Sequence, residues 1–144
     1  AWGDDGSDTP FNFKFNNGIK FQFAYDGAFT ASGNVTAYSD IRIKDNIETI
    51  SNALEKIEQI RGVTYTRKDQ KDTEKRHAGV IAQEVEKVLP EVVEYNEEED
   101  IKTVAYGNMV GLLVEAIKEQ STQITAQQEQ INKLTKLVNA LMEK

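Results

Sequence analysis

The sequence predicts an α+β fold: a β-rich N-terminal segment, a small mixed α/β core and a long C-terminal helix that associates with further helices. Three observations carry this. Residues 11–25 alternate apolar and polar side chains around Asn17-Gly18, the period-two pattern of a hairpin. Residues 47–104 combine one helical spacing with several short strand-like runs. Val110, Ile117, Ile124, Ile131 and Val138 recur every seven residues, the spacing of a coiled-coil seam.

In the first segment, five of the six Phe fall on odd positions from Phe11 to Phe23, so they project from one face of each strand and need an apolar cover. A lone hairpin does not supply one. Asp26-Gly27 and Ser32-Gly33-Asn34 read as turns flanking short strands at Ala28–Ala31 and Val35–Tyr38. Beyond Ser39 the character changes. Ile47, Ile50, Leu54, Ile57 and Ile60 lie at helical spacing before Gly62, which predicts a helix of roughly three to four turns.

Val63–Thr66 and Ala78–Ile81 have strand character on either side of a charged loop. Ala82–Leu89 reads as a short helix halted by Pro90. Val92–Tyr95 and Ile101–Val104 then flank the acidic run Asn96–Asp100, a solvated turn whose carboxylates lack the spacing of a calcium loop. The final helix is expected over about residues 107–143. Its positions three residues after the heptad row are Leu113, Gln120, Gln127, Leu134 and Leu141, so the seam is apolar at both ends with two glutamine layers in the middle. This predicts association without fixing its order.

Composition narrows the function. The chain has 144 residues, 24 acidic against 17 basic side chains and a net charge of -7, with no basic cluster, which argues against nucleic acid and anionic membrane as partners. No apolar run approaches the roughly eighteen residues of a membrane span. There is no cysteine and one histidine, His77, which leaves no thiolate chemistry and little scope for a metal site, so neither metal nor cofactor is expected. Gly-x-Ser-x-Gly and glycine-rich phosphate loops are also absent. The start, Ala1-Trp2-Gly3-Asp4-Asp5, has neither Met nor the pattern of a signal peptide, and the chain reads as a fragment.

The informative stretch is Ser39-Asp40-Ile41-Arg42-Ile43-Lys44 with Asn46-Ile47, at the β to α+β junction. With Ala53-Leu54, Gly62-Val63-Thr64-Tyr65, Gly79-Val80-Ile81-Ala82-Gln83-Glu84-Val85-Glu86, Leu89-Pro90-Glu91 and Leu112–Glu119, it resembles the C-terminal intramolecular chaperone domain of phage tailspikes and tail fibres, the self-cleaving endosialidase type. The resemblance covers nearly everything after Tyr38. It implies a homotrimer whose coiled coil aligns the upstream β-structured fibre, the domain's own folding client, and which then releases itself by autoproteolysis. On that reading residues 1–39 end the fibre and residues 40–144 form the chaperone. The precursor is made in the host cytoplasm and the fibre part joins the virion.

The resemblance also implies a catalytic dyad of Ser39 and Lys44, with the cut between Ser39 and Asp40. A cut before Ser39 by an N-to-O acyl shift is the alternative. The chemistry is consistent, because a serine hydroxyl needs a base and a neutral lysine is one. Lys44 must then be partly desolvated or lie near another cation such as Arg42. Five residues span about 140° of a helix, and opposite faces of a strand, so a bend or a contact across chains is needed to join the pair. Asn46, His77, Gln83 and Glu84 are candidate supporting residues. The competing expectation is a non-enzymatic trimerisation or receptor-binding tip module, in which Ser39-Asp40 is a turn or cap and Lys44 is solvated.

Overall fold

The computed structural model describes residues 11–15, 18–24, 28–69 and 74–143. The chain forms two compact units, Ala1–Ile47 and Glu48–Lys144.

The first unit holds a three-stranded antiparallel sheet of β1 (Phe11–Phe15), β2 (Gly18–Phe23) and β3 (Phe29–Ala31), in that order. The hairpin is as expected, but its register shifts by one after Phe13: Phe13 faces Phe21 while Phe15 faces Gly18. Gly18 therefore opens β2 as a paired strand residue. The turn expected at Asp26-Gly27 lies outside the described residues. Phe11, Phe13, Phe21, Phe23 and, from β3, Phe29 form a cluster of rings, with Phe11 edge-on to Phe13 at 5.1 Å and Phe29 stacked on Phe21 at 6.2 Å. Each ring is still about half exposed. The strand expected at Val35–Tyr38 does not form; residues 34–40 have no regular structure and are exposed. β-propensity expresses itself through pairing and packing, and this stretch has no ladder to join.

The second unit surrounds a small core of Ala53, Val85, Leu89, Val92, Met109, Leu112 and Ala116. It contains α1 (Ala53–Glu58), β4 (Val63–Thr66), β5 (Arg76–Gly79), α2 (Ala82–Val88), β6 (Val93–Asn96), β7 (Ile101–Val104) and α3 (Val110–Met142). The strands pair as two separate antiparallel hairpins, β4 with β5 and β6 with β7. The β6–β7 turn is closed by the Asn96 side chain, which accepts from the Glu98 and Glu99 amides at 3.0 and 3.2 Å.

Two elements differ from expectation. The helix foreseen from Ile47 occupies only six residues. Asn46 and Asn52 both take left-handed backbone, φ 49° and 52°, a conformation Asn tolerates and a helix does not. Ile50, Leu54, Ile57 and Ile60 nevertheless all pack on the core, which is why their spacing looks helical throughout. Strand β5 lies two residues earlier than expected, because Val80 and Ile81 leave the ladder to start α2, with Ile81 at its N-cap.

Helix α3 has 33 residues, about 50 Å at 1.5 Å per residue. Its Leu112 and Ala116 are buried in the core, and Glu119 closes the N-terminus of α1, accepting from the Ala53 and Leu54 amides at 2.9 and 2.8 Å. The heptad row points elsewhere, roughly 120° around the helix. Val110, Ile117, Ile124, Ile131 and Val138 are 52 to 64% exposed, so the seam is not used by the chain's own core.

Candidate active site

Ser39 and Lys44 meet across a single tight turn. Asp40 is extended (φ -67°, ψ 138°), Ile41–Ile43 make one turn of 3-10 helix, and Lys44 is extended again (φ -111°, ψ 140°). Three residues complete a 3-10 turn with a rise of about 6 Å, so the chain leaves the turn in the direction from which it entered. That closes the gap which neither a strand nor an α-helix closes for residues five apart. The Lys44 Nζ donates to Ser39 Oγ at 2.9 Å.

The turn is held by Asp40. Its Oδ1 accepts from the Arg42 backbone amide at 2.8 Å, an N-cap bond, and from Arg42 Nε at 3.0 Å, while Oδ2 accepts from Arg42 Nη2 at 2.6 Å. No residue of the turn is buried, so local hydrogen bonds hold it rather than packing. The Arg42 guanidinium keeps the Asp40 carboxyl below its ordinary range, and the same bonds raise Arg42. Arg42, expected as a cation beside Lys44, is instead turned back onto Asp40. Lys44 itself is exposed. Asn46 sits two residues on, its left-handed backbone bending the chain and its amide donating to Asp45 Oδ1 at 2.9 Å.

The other candidates belong to the second unit. His77 lies inside β5, opposite Tyr65 on β4, with the two rings stacked 5.8 Å apart. Glu84, in the first turn of α2, accepts from the Arg61 amide at 3.0 Å and from Arg61 Nε at 2.8 Å. This bidentate pairing holds its carboxyl below the usual range, chiefly through the Arg61 side chain, and ties the stretch after α1 to α2. Gln83 lines an open groove of about 790 Å³ together with Tyr65, Ile81, Lys102, Thr103 and Tyr106. At the groove's edge Arg67 pairs with Asp69 and draws its carboxyl down to about 2.

Sequence reasoning missed three side chains that organise these pieces. Arg61 is the partner of Glu84, Glu119 caps α1 from 65 to 66 residues away, and the Tyr106 hydroxyl accepts from the Val80 amide at 3.3 Å while covering Gly79. Glu119 was visible only as part of the motif Leu112–Glu119; nothing local in the sequence marks any of the three.

Residues 39–94 match the model of a peptidase family described as chaperone of endosialidase. The chain carries a domain of the chaperone-of-endosialidase family. The match begins on Ser39, the first residue of the pair joined across the 3-10 turn. Over 117 residues, 78% of its length, the chain is 37% identical to the long tail fiber protein Gp37 of Enterobacteria phage K3. It is 40% identical over 115 residues to Gp37 of Enterobacteria phage M1 and 30% identical over 133 residues to Gp37 of Salmonella phage S16. The alignments cover 72% and 88% of this chain in those two cases. The chain spans 9%, 46% and 18% of the three relatives' own lengths, in the same order. The family match covers the 3-10 turn and the elements from α1 to the start of β6, with the β-rich segment lying before it and β7 and α3 after it.

Proposed function

We propose that this chain is the end of a phage tail fibre or tailspike precursor together with its intramolecular chaperone, which trimerises, aligns the β-structured fibre for folding and then releases itself by autoproteolysis between Ser39 and Asp40. The observation that carries the reading is the 2.9 Å contact between Ser39 Oγ and Lys44 Nζ, formed at the residue where the family match begins.

The chemistry runs through that contact. In its neutral form the Lys44 amine accepts the Ser39 hydroxyl proton, reversing the hydrogen bond, and the oxygen attacks the carbonyl carbon of a Ser39–Asp40 bond. The C–N bond breaks, the Asp40 nitrogen leaves with the proton carried by Lys44, and water hydrolyses the resulting ester. Asp40 and Arg42 act as positioning residues, because they build the turn. Glu84, committed to Arg61, supports the fold of the second unit, as does His77 through its stacking on Tyr65.

Folding explains why such a domain is cut away. Interwound β-chains must find register before long-range pairing is rewarded, which makes the search slow and prone to slippage. The exposed heptad face of α3 gathers three chains first and meets that entropy cost. The half-exposed Phe face of β1–β3 is then covered by its counterparts about the threefold axis. Once formed, the fibre persists because its unfolding barrier is high, and cleavage removes the reverse path.

Intact mass spectrometry under denaturing conditions tests the proposal on freshly folded wild type, Ser39→Ala and Lys44→Ala. Fragments ending at Ser39 and starting at Asp40, in wild type alone, are expected. An intact wild-type chain would refute self-cleavage and leave a plain trimerisation or tip module.

A further inference from the structure

We infer that the cut is made between copies: the Ser39 hydroxyl activated by Lys44 in one chain opens the Ser39–Asp40 bond of a neighbouring chain. This rests on the self-cleaving reading and names the electrophile of that reaction.

The argument starts from connectivity. Ser39 Oγ is joined to its own carbonyl carbon through Cβ and Cα alone, so attack on that carbon would close a four-membered lactone. Its ring angles would be pinched by about 20° from tetrahedral, and strain rises with the square of such a deviation. The same hydroxyl reaches the preceding carbonyl, that of Tyr38, through an unstrained five-membered ring, but that route cuts before Ser39. A cut after Ser39 by this hydroxyl therefore needs a carbonyl from another molecule.

The geometry meets each requirement. Nucleophile and base come from one chain, 2.9 Å apart across the 3-10 turn, so every copy carries a complete dyad. The stretch 34–40 is outside any helix or strand and exposed, Tyr38 to 97%, which leaves its backbone open to a neighbour. The exposed heptad row of α3 supplies a surface on which parallel copies align at equal heights. In a cyclic assembly each copy then serves as enzyme to one neighbour and substrate to the other.

The step balances with water as the sole co-reactant. Lys44 Nζ takes the proton from its own Ser39, and the oxygen bonds to the neighbour's Ser39 carbonyl carbon. The neighbour's C–N bond breaks, its electron pair stays on the Asp40 nitrogen, and Lys44 returns the proton there. This leaves an ester between the Ser39 oxygen of one chain and the Ser39 carbonyl of the next. Water, deprotonated by Lys44, hydrolyses it to a C-terminal carboxylate and the original hydroxyl.

Mixed assemblies test this. A Ser39→Ala chain with a mass-shifting N-terminal tag is co-expressed with the wild-type chain, captured by the tag and measured by denaturing mass spectrometry. Uncut when folded alone, the tagged chain is expected to be cut after residue 39 in about half of its copies at equal mixing, since half have a wild-type chain as the acting neighbour. A mixture of Ser39→Ala with Lys44→Ala chains is expected to stay intact, because neither carries both groups. Tagged chains left whole beside cut wild-type chains would overturn cleavage between copies, as would wild-type fragments beginning at Ser39 or the absence of wild-type chains from the captured material. Wild type that is intact even by itself would overturn the self-cleaving reading as well, which separates the two failures.

Discussion

Gly79→Ala examines how tightly the second unit is built around Tyr106. A Cβ on residue 79 would lie 2.4 Å from the Tyr106 hydroxyl oxygen and 3.4 Å from its Cζ. The first distance lies well inside any real carbon contact, so the ring must move by several tenths of an ångström or more. It is not free to do so, because its hydroxyl accepts from the Val80 amide at 3.3 Å. Overpacking of this kind costs about 1–3 kcal/mol, and losing the hydrogen bond adds about 1 kcal/mol. The expected destabilisation is therefore about 2–4 kcal/mol. Urea titration at fixed protein concentration reads it as a midpoint lowered by about 1–2 M at an unchanged slope of roughly 2 kcal/mol/M. Tyr106→Phe alone loses only the hydrogen bond, about 1 kcal/mol. In the double variant the nearest ring atom stands at 3.4 Å, ordinary contact, so the pair is expected to be more stable than Gly79→Ala by itself. Two penalties that simply add would refute the steric reasoning.

Asp40→Ala removes both the cap and the ion pair of the turn, and misplacing the dyad by an ångström is expected to slow single-turnover cleavage about 100-fold. Asp40→Asn keeps an acceptor for the Arg42 amide and should lose much less, as followed by denaturing gel; equal rates in the two would argue against the clamp. The Glu119 carboxyl is held below its ordinary value of 4.5, first by the Leu54 amide and then by the Ala53 amide. Because the folded value is the lower one, the stabilisation is complete above 4.5 and fades as pH falls through the folded value, so Glu119→Gln should flatten the acid limb of a stability-pH curve. Leu112, fully buried, should cost about 2–5 kcal/mol on replacement by Ala, measured by thermal unfolding. Ile124→Asp, on the exposed seam, removes about 5–9 kcal/mol per three-chain layer. Sedimentation should then show single chains, and cleavage should be lost although the dyad is intact; cleaved single chains would contradict the order of events proposed above.

What was legible in the sequence follows from the range of the interactions. The Phe-alternating hairpin, the Pro90-stopped helix α2, the acidic β6–β7 turn and the heptads of α3 are set by neighbours a few residues apart, and each appears where its pattern lies. Elements set by distant partners went astray. Helix α1 begins at Ala53 because Asn52 turns left-handed and Glu119 supplies the missing cap, and no local signal contains both facts. Strand β5 stops at Gly79 because Tyr106 takes the next amide. The site divides in the same way. Ser39, Asp40, Arg42 and Lys44 lie within six residues, so the cap at Asp40 is legible locally, whereas the Ser39–Lys44 contact depends on the 3-10 turn between them. The role of Arg42 was misjudged, since an i, i+2 pairing through a 3-10 turn depends on a backbone that periodicity does not reveal. Glu84 could not be placed without knowing of Arg61.

The dyad geometry also bears on timing. Ser39 and Lys44 are already in contact in a single chain, on a turn of which no residue is buried. Lys44 is exposed, and Arg42 is paired with Asp40. On the reading proposed above, the gathering of copies is the event that brings a neighbour's Ser39–Asp40 carbonyl to this turn. A protease that cut as soon as its turn formed would separate client from template before register was set. One whose electrophile is a neighbour's carbonyl acts only after alignment. On the reading proposed above, that requirement makes cleavage a consequence of assembly, which is the order a disposable folding template needs.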